Sequence, residues 1–347
     1  MSRKKIFLCA SLFLAFQICE PVKATPVPGL DLPQLTSDAS LIVVGQVISI
    51  REENRERHEI GGTFMLAREL SAILRVDRTL KGEQKAEVTF KFLMPDLSVG
   101  YRGIDNDQFG IFFLLSKSEE LSLASPYHPF LVARRDGCLT EGSGLARVIS
   151  ELSCVIQSPN TSVRQRYEAI RALESARTPE STAVLQKAAR EQVAPLNHIA
   201  ASIILARNDV SALAIVEDAW MRSSSFAINS EGMRSEGHLG HSLEGIKDSS
   251  AIPSLTRLFV SEDVIVRRGV VRALRNIKTE TAIKPLAGAL DDSDWEVRWG
   301  AVMGLAAIAG PDKDGNSWYP AYDAFKENER FYLDHWREWL QQRMRNR

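Results

Sequence analysis

The hydrophobic pattern of this chain changes period part-way along. From Leu41 to about Arg134 it is strand-like. Residues 41–50 (LIVVGQVISI) are β-branched and partly alternating. Residues 71–76 and 87–92 alternate apolar with polar positions, and 111–115 (IFFLL) is an unbroken apolar run, as a strand buried on both faces shows. Residues 130–133 form a fifth expected strand. Leu80-Lys81-Gly82 reads as a turn, and the charged, glycine-ended stretch 51–62 reads as an exposed hairpin loop. Five short strands in about 100 residues predict a small barrel or sandwich. From about Ser162 the apolar positions recur every three to four residues, which is the spacing of helices with one buried face.

Three motifs give the strand region a family likeness. They are Asp38 with Leu41-Ile42-Val43-Val44-Gly45-Gln46-Val47, then Val76-Asp77-Arg78-Thr79-Leu80-Lys81-Gly82, then Gly110-Ile111-Phe112-Phe113-Leu114. In this order residues 38–117 resemble a bacterial domain of the oligonucleotide/oligosaccharide-binding (OB) barrel type, near the netrin and metalloproteinase-inhibitor barrels. Inhibitors of that family chelate a protease zinc through an N-terminal cysteine. The segment Thr25-Pro26-Val27-Pro28 has none, so the resemblance implies the fold and not the inhibition.

The helical half repeats itself. Residues 266–274 (VRRGVVRAL) align with 297–305 (VRWGAVMGL) at an offset of 31, and 163–173 has the same shape. The last leucines of the motif, Leu173, Leu205, Leu243, Leu274 and Leu305, are 32, 38, 31 and 31 residues apart. The helices that follow align through Thr182-Ala183-Val184, Ser211-Ala212-Leu213, Ser250-Ala251-Ile252 and Thr281-Ala282-Ile283. A period near 31 with two helices per unit predicts an α-solenoid. It resembles the HEAT repeat, in the short form also found in phycobilisome lyases. Ser250 and Thr281 are expected N-caps, with Pro253 and Pro285 tolerated in the first turn. Asp263 and Asp294 precede first-helix starts, and with Arg267 and Arg298 one turn on they form the expected inter-repeat ladder. The 38-residue step marks an insertion, the Ser- and Gly-rich stretch 223–237, expected as a loop. The tail from Trp318 ends the array. Its aromatics, Trp318, Trp336 and Trp339 among them, read as the apolar face of a capping helix or as a partner surface.

The N-terminus sets the expected compartment. Arg3, Lys4 and Lys5 precede the apolar run 6–16, and Val22-Lys23-Ala24 offers small residues where a signal peptidase reads. This predicts a secretory signal peptide over 1–24 and a secreted or periplasmic protein. No second apolar run approaches the roughly twenty residues of a membrane span. The 347 residues carry 43 Lys plus Arg against 44 Asp plus Glu; residues 1–24 hold four bases and one acid, leaving −4 for the rest. That balance argues against a nucleic-acid partner, which calls for a basic surplus. Of four cysteines, Cys138 and Cys154 remain after processing, and in an oxidising compartment they are an expected disulfide rather than two separate thiols.

Two metal-like patterns are weak. His238 and His241, near Glu236 and Glu244, lack a third ligand and are broken by Gly237 and Gly240. Asp312-Lys313-Asp314-Gly315-Asn316 starts like a calcium loop, but Ser317 replaces the turn glycine and Asp323 the bidentate glutamate. HEAT-repeat hydroxylases bind iron through several His-Glu dipeptides, and here there is one, His58-Glu59, in the strand half. No catalytic motif is visible and no cofactor is expected. The expected architecture is α+β: signal peptide 1–24, OB-like barrel 25–155, HEAT-like α-solenoid 160–310, capping helix 311–347. The expected function is a non-catalytic scaffold or adaptor that binds a protein along the solenoid. The alternatives are an enzyme or lyase-like protein with a small-molecule site at the domain junction, and a metalloproteinase-inhibitor-like barrel.

Overall fold

A computed structural model describes residues 29–60, 63–96, 102–117, 120–138, 141–191, 196–215, 217, 236–312, 314–316 and 318–345. The segment read as a signal peptide and most of the insertion 223–237 lie outside the described residues.

A short helix, α1 (Leu32–Asp38), capped by Asp31 through the amide of Gln34, leads into five strands. These are β1 (Leu41–Ile60), β2 (Thr63–Lys81), β3 (Glu87–Pro95), β4 (Phe109–Lys117) and β5 (Glu120–Leu123). They close in the order β1-β2-β3-β5-β4, with β1 pairing back onto β4 and β3–β5 the parallel pair. This is the small five-stranded barrel that the strand pattern predicts. Strand side chains alternate between faces. Leu41, Val43, Phe112 and Leu114 therefore point inward onto Leu74, Phe90 and Phe130, while Ile42, Val44, Ile111 and Phe113 point outward into the core shared with the helices. Two buried faces are why 41–44 and 111–114 are unbroken apolar runs.

Two strand expectations are corrected. Residues 51–60 are not a loop: β1 runs on to Ile60, paired with β2 from Leu70 back to Thr63. Here β1 extends past β4, with which its pairing stops at Gln46, and residues 51–57 are all exposed, so no buried face imposes alternation on them. The fifth strand is Glu120–Leu123; residues 130–133 contribute only an isolated bridge, Leu131 to Ile111.

Among the described residues the helices include α2 (Gly144–Gln157), α3 (Val163–Ala172), α4 (Pro179–Arg190), α5 (Leu196–Ala206), α6 (Glu236–Leu243), α7 (Ile252–Leu258), α8 (Val264–Ile277), α9 (Ile283–Ala289), α10 (Trp295–Ala309), α11 (Tyr322–Glu327) and α12 (Glu329–Arg345). The anchor leucines 173, 205, 243, 274 and 305 are all completely buried. Ser162 and Thr178 start α3 and α4 with capping boxes, and Asp263 and Asp294 cap α8 and α10. Close crossing is built in: a Cβ on Gly269 of α8 would collide with the carbonyl of Gly240 on α6.

The second helices differ from expectation in two respects. Ser250 and Thr281 are not caps; each lies inside a 3-10 turn ahead of its helix, and Asp248 accepts the amide of Ser250 instead. The alignment through Ala183 slips by two residues. Ala183 is exposed, whereas Ser181, Ala212, Ala251 and Ala282 are the buried set, and Leu185, Leu255 and Leu286 follow them four residues on where all three helices are described. One core then runs from Leu32 and the outer face of β1 and β4 through α2 and the repeats to Trp336.

Candidate functional site

The arginine ladder pairs differently from its sequence reading. Asp263 and Asp294 each accept an amide of their own helix, from Ile265 at 2.8 Å and Val297 at 3.1 Å, and neither pairs with the arginine one turn on. Arg267 reaches forward instead, to Asp292 at 2.8 Å, and its guanidinium also donates to the carbonyls of Ser261 and Glu262. Arg298 repeats this one unit later, with Glu329 at 2.5 Å and the carbonyls of Asp292 and Ser293. Arg268 joins Asp294 at 2.7 Å and Glu296 at 2.9 Å. The Arg268 guanidinium holds the Asp294 carboxyl below its ordinary range. A further rung escaped the sequence reading. Arg166 stands four residues after the cap Ser162, as Arg267 does after Asp263, and it pairs with Glu191 at 2.6 Å, 25 residues on, the same step as Arg267 to Asp292. The signal is an arginine four after the cap with an acid 25 further on, at 166/191 and 267/292.

These charges are consumed within the array. What the second helices leave exposed is different. Outward positions include Ala183, Lys187 and Arg190 on α4, Pro253, Thr256 and Arg257 on α7 with Val260 beyond it, and Lys284 and Gly288 on α9. A groove of about 470 Å³ on α4 is lined by Ala183, Gln186, Lys187, Arg190 and Glu191. Two further cavities, about 570 and 440 Å³, flank the β3–β5 seam of the barrel around Lys91, Glu120 and Leu121.

The C-terminal aromatics divide. Trp336 is 1 % exposed and, with Phe325 and Leu333, forms the buried face of the terminal pair. It is therefore core, not partner surface. Trp339 packs edge-on against it at 5.3 Å. Trp318 stacks flat on His335 at 3.5 Å and donates its indole N–H to Asp312 at 2.7 Å. Phe331 and Met344 remain exposed.

The calcium-like loop is filled by nitrogen donors. The Asp312 carboxylate accepts from the amides of Asp314 and Asn316, from the Asn316 side chain and from Trp318. Led by the Trp318 indole, these donors hold its carboxyl down at about 2. A cation would face N–H groups there. His241 contacts Glu244, whose carboxylate also pairs with Arg272 at 2.5 Å, and the side chain of His238 lies outside the described residues. Among the described residues no three His, Cys, Asp or Glu side chains are gathered as metal ligands.

At the junction, Arg78 of β2 makes a two-pronged pair with Glu151 of α2, at 2.5 and 2.6 Å, and donates to the carbonyls of Arg134 and Arg135. Cys138 and Cys154 form a disulfide, with Cα atoms 6.1 Å apart.

Residues 237–312 match the family of HEAT repeats. This stretch of the solenoid is made of HEAT repeats. No curated protein matches the chain. Among solved structures, the complex of CpcE and CpcF of phycocyanin lyase from Nostoc sp. PCC7120 is similar over 50% of this chain at 18% identity and TM-score 0.36, and the match spans 66% of that chain. An engineered protein is similar over 52% of this chain and 86% of its own, at 20% identity and TM-score 0.33. Human deoxyhypusine hydroxylase in complex with glycerol is similar over 56% of this chain and 75% of its own, at 18% identity and TM-score 0.22. No described helix is long and apolar enough to cross a membrane.

Proposed function

We propose that the protein is an exported, non-catalytic scaffold whose HEAT-repeat solenoid holds a protein partner through the exposed face of its second helices. The observation that carries this is the division of labour among charges. The ladder residues Arg166, Arg267, Arg268 and Arg298 are paired inside the array, whereas the second helices α4 and α9 turn Lys187, Arg190 and Lys284 to solvent, Lys187 with one hydrogen bond to Gln157. Solenoids use such extended repeat surfaces for protein recognition.

Export rests on residues 1–24 alone. Affinity capture from the envelope and medium of the expressing cell, with the mature chain as bait, tests both parts. A discrete protein partner, lost when Lys187 and Arg190 are changed to Glu, supports the scaffold. Retention of the unprocessed chain in the cytosol contradicts export. Substrate turnover without a protein partner would favour the enzyme reading.

A further inference from the structure

The junction between barrel and solenoid is closed by a short strap, residues 134–138, lying across the Arg78–Glu151 pair. Glu151 is completely buried and the Arg78 side chain is 9 % exposed. The strap covers them at close range. Arg78 donates to the carbonyls of Arg134 at 2.7 Å and Arg135 at 3.2 Å, and a Cβ on Gly137 would collide with the guanidinium. Little else holds the strap. None of the described residues among 134–138 and 141–142 is a buried side chain. Arg134 pairs with Asp136 inside the strap, and Arg135 lies over Phe109 and donates to Gln46 on the barrel side. Toward α2 the strap has one hydrogen bond, Ser150 Oγ to the Cys138 carbonyl at 3.0 Å, and the Cys138–Cys154 disulfide.

Cys138 is exposed and Cys154 half-buried, so the bond that fixes the strap to α2 is the part of this arrangement a thiol can reach. Access is one of the factors that make a disulfide exchangeable.

We propose that the Cys138–Cys154 disulfide is a redox latch for the barrel–solenoid junction. A dithiol reductant attacks the sulfur of the exposed residue Cys138, and Cys154 leaves as thiolate and is protonated. The second thiol of the reductant resolves the mixed disulfide, leaving two protein thiols and the reductant's own disulfide. The freed strap then lifts from α2. Arg78 loses its two carbonyl acceptors and the buried ion pair admits water. The barrel interior and the distal repeats have no contact with the strap and keep their packing.

Hydrogen exchange on the full chain tests this, comparing the oxidised protein with the same protein reduced by dithiothreitol under native conditions and blocked with iodoacetamide. The expected result is loss of protection confined to peptides spanning 76–80, 134–138 and 148–155, with 87–92 and 264–305 unchanged. New trypsin cleavage after Arg134 and Arg135 should accompany it. A double variant, Cys138→Ser with Cys154→Ser, should give the same exchange pattern without the alkyl groups. The proposal is overturned if native reduction fails, if protection is unchanged, or if it is lost along the whole chain. Should the variant fail to fold, the reduced wild-type protein decides.

Discussion

The carboxylate of Glu151 and the guanidinium of Arg78 meet through two parallel hydrogen bonds, 73 residues apart in sequence, where the barrel docks on the helices. A planar fork on a carboxylate fixes direction as well as distance. Truncating one member of a buried pair strands the other charge in a poorly solvated site. Glu151→Gln is therefore expected to lower stability by about 3–5 kcal/mol, read from the midpoint of urea unfolding. A shift within error would mean that water already reaches Arg78.

The terminal aromatics are expected to act as a cap. Trp336→Ala removes a fully buried ring and should cost about 3–5 kcal/mol. Truncation before Trp318 uncovers α10, whose Val302 and Leu305 are completely buried in the intact protein, and should make the protein aggregate on size exclusion. A truncated protein that stays monomeric with an unchanged melting temperature would show that α12 is not needed to close the array.

The loop at Asp312 should ignore calcium. Its carboxylate already receives four N–H donors. Calcium at several times the ~1 mM that bounds weak extracellular sites is expected to leave the melting temperature unchanged. Asp312→Ala should shift Trp318 emission by freeing the indole. A calcium-dependent rise in melting temperature would contradict this account of the loop.

Two histidines set an acid limit. Burial pushes both His198 and His335 below their ordinary value of 6.5. The unfolded chain thus takes up these protons first, and stability should fall as pH drops from about 6.5 through the folded values. Asp312 acts lower: its bonds contribute fully above the ordinary carboxylate value of 3.8 and are lost as pH falls toward about 2. Chemical denaturation between pH 8 and 5, in the wild type and in His198→Gln, checks the first window (about 6.5 downward). An unchanged pH dependence in the variant would remove His198 from it.

Much of the fold was legible because each buried residue repeats a local rule. The anchor leucines recur near 31 residues, and the doubly buried strand 111–114 has no polar position to break it. Legibility failed where backbone pairing acts without burial. Residues 51–60 are a strand held by β2, yet they look like a loop because both faces of 51–57 meet water. It failed again for side chains that choose between near neighbours. Arg267 has Asp263 one turn away and takes Asp292 of the next unit, while Asp263 caps its own helix. The Arg78–Glu151 pair left no local trace, since neither residue has a sequence neighbour that signals the other.

The most direct measurement places a photo-crosslinking amino acid at Lys187, Arg257 or Lys284 on the second helices, and at Arg68 on the barrel ribbon as reference, in cells that express the full chain. The account predicts one and the same protein crosslinked from the second-helix positions and not from Arg68. Crosslinks from Arg68 with none from the three solenoid positions would contradict it and would move recognition to the barrel.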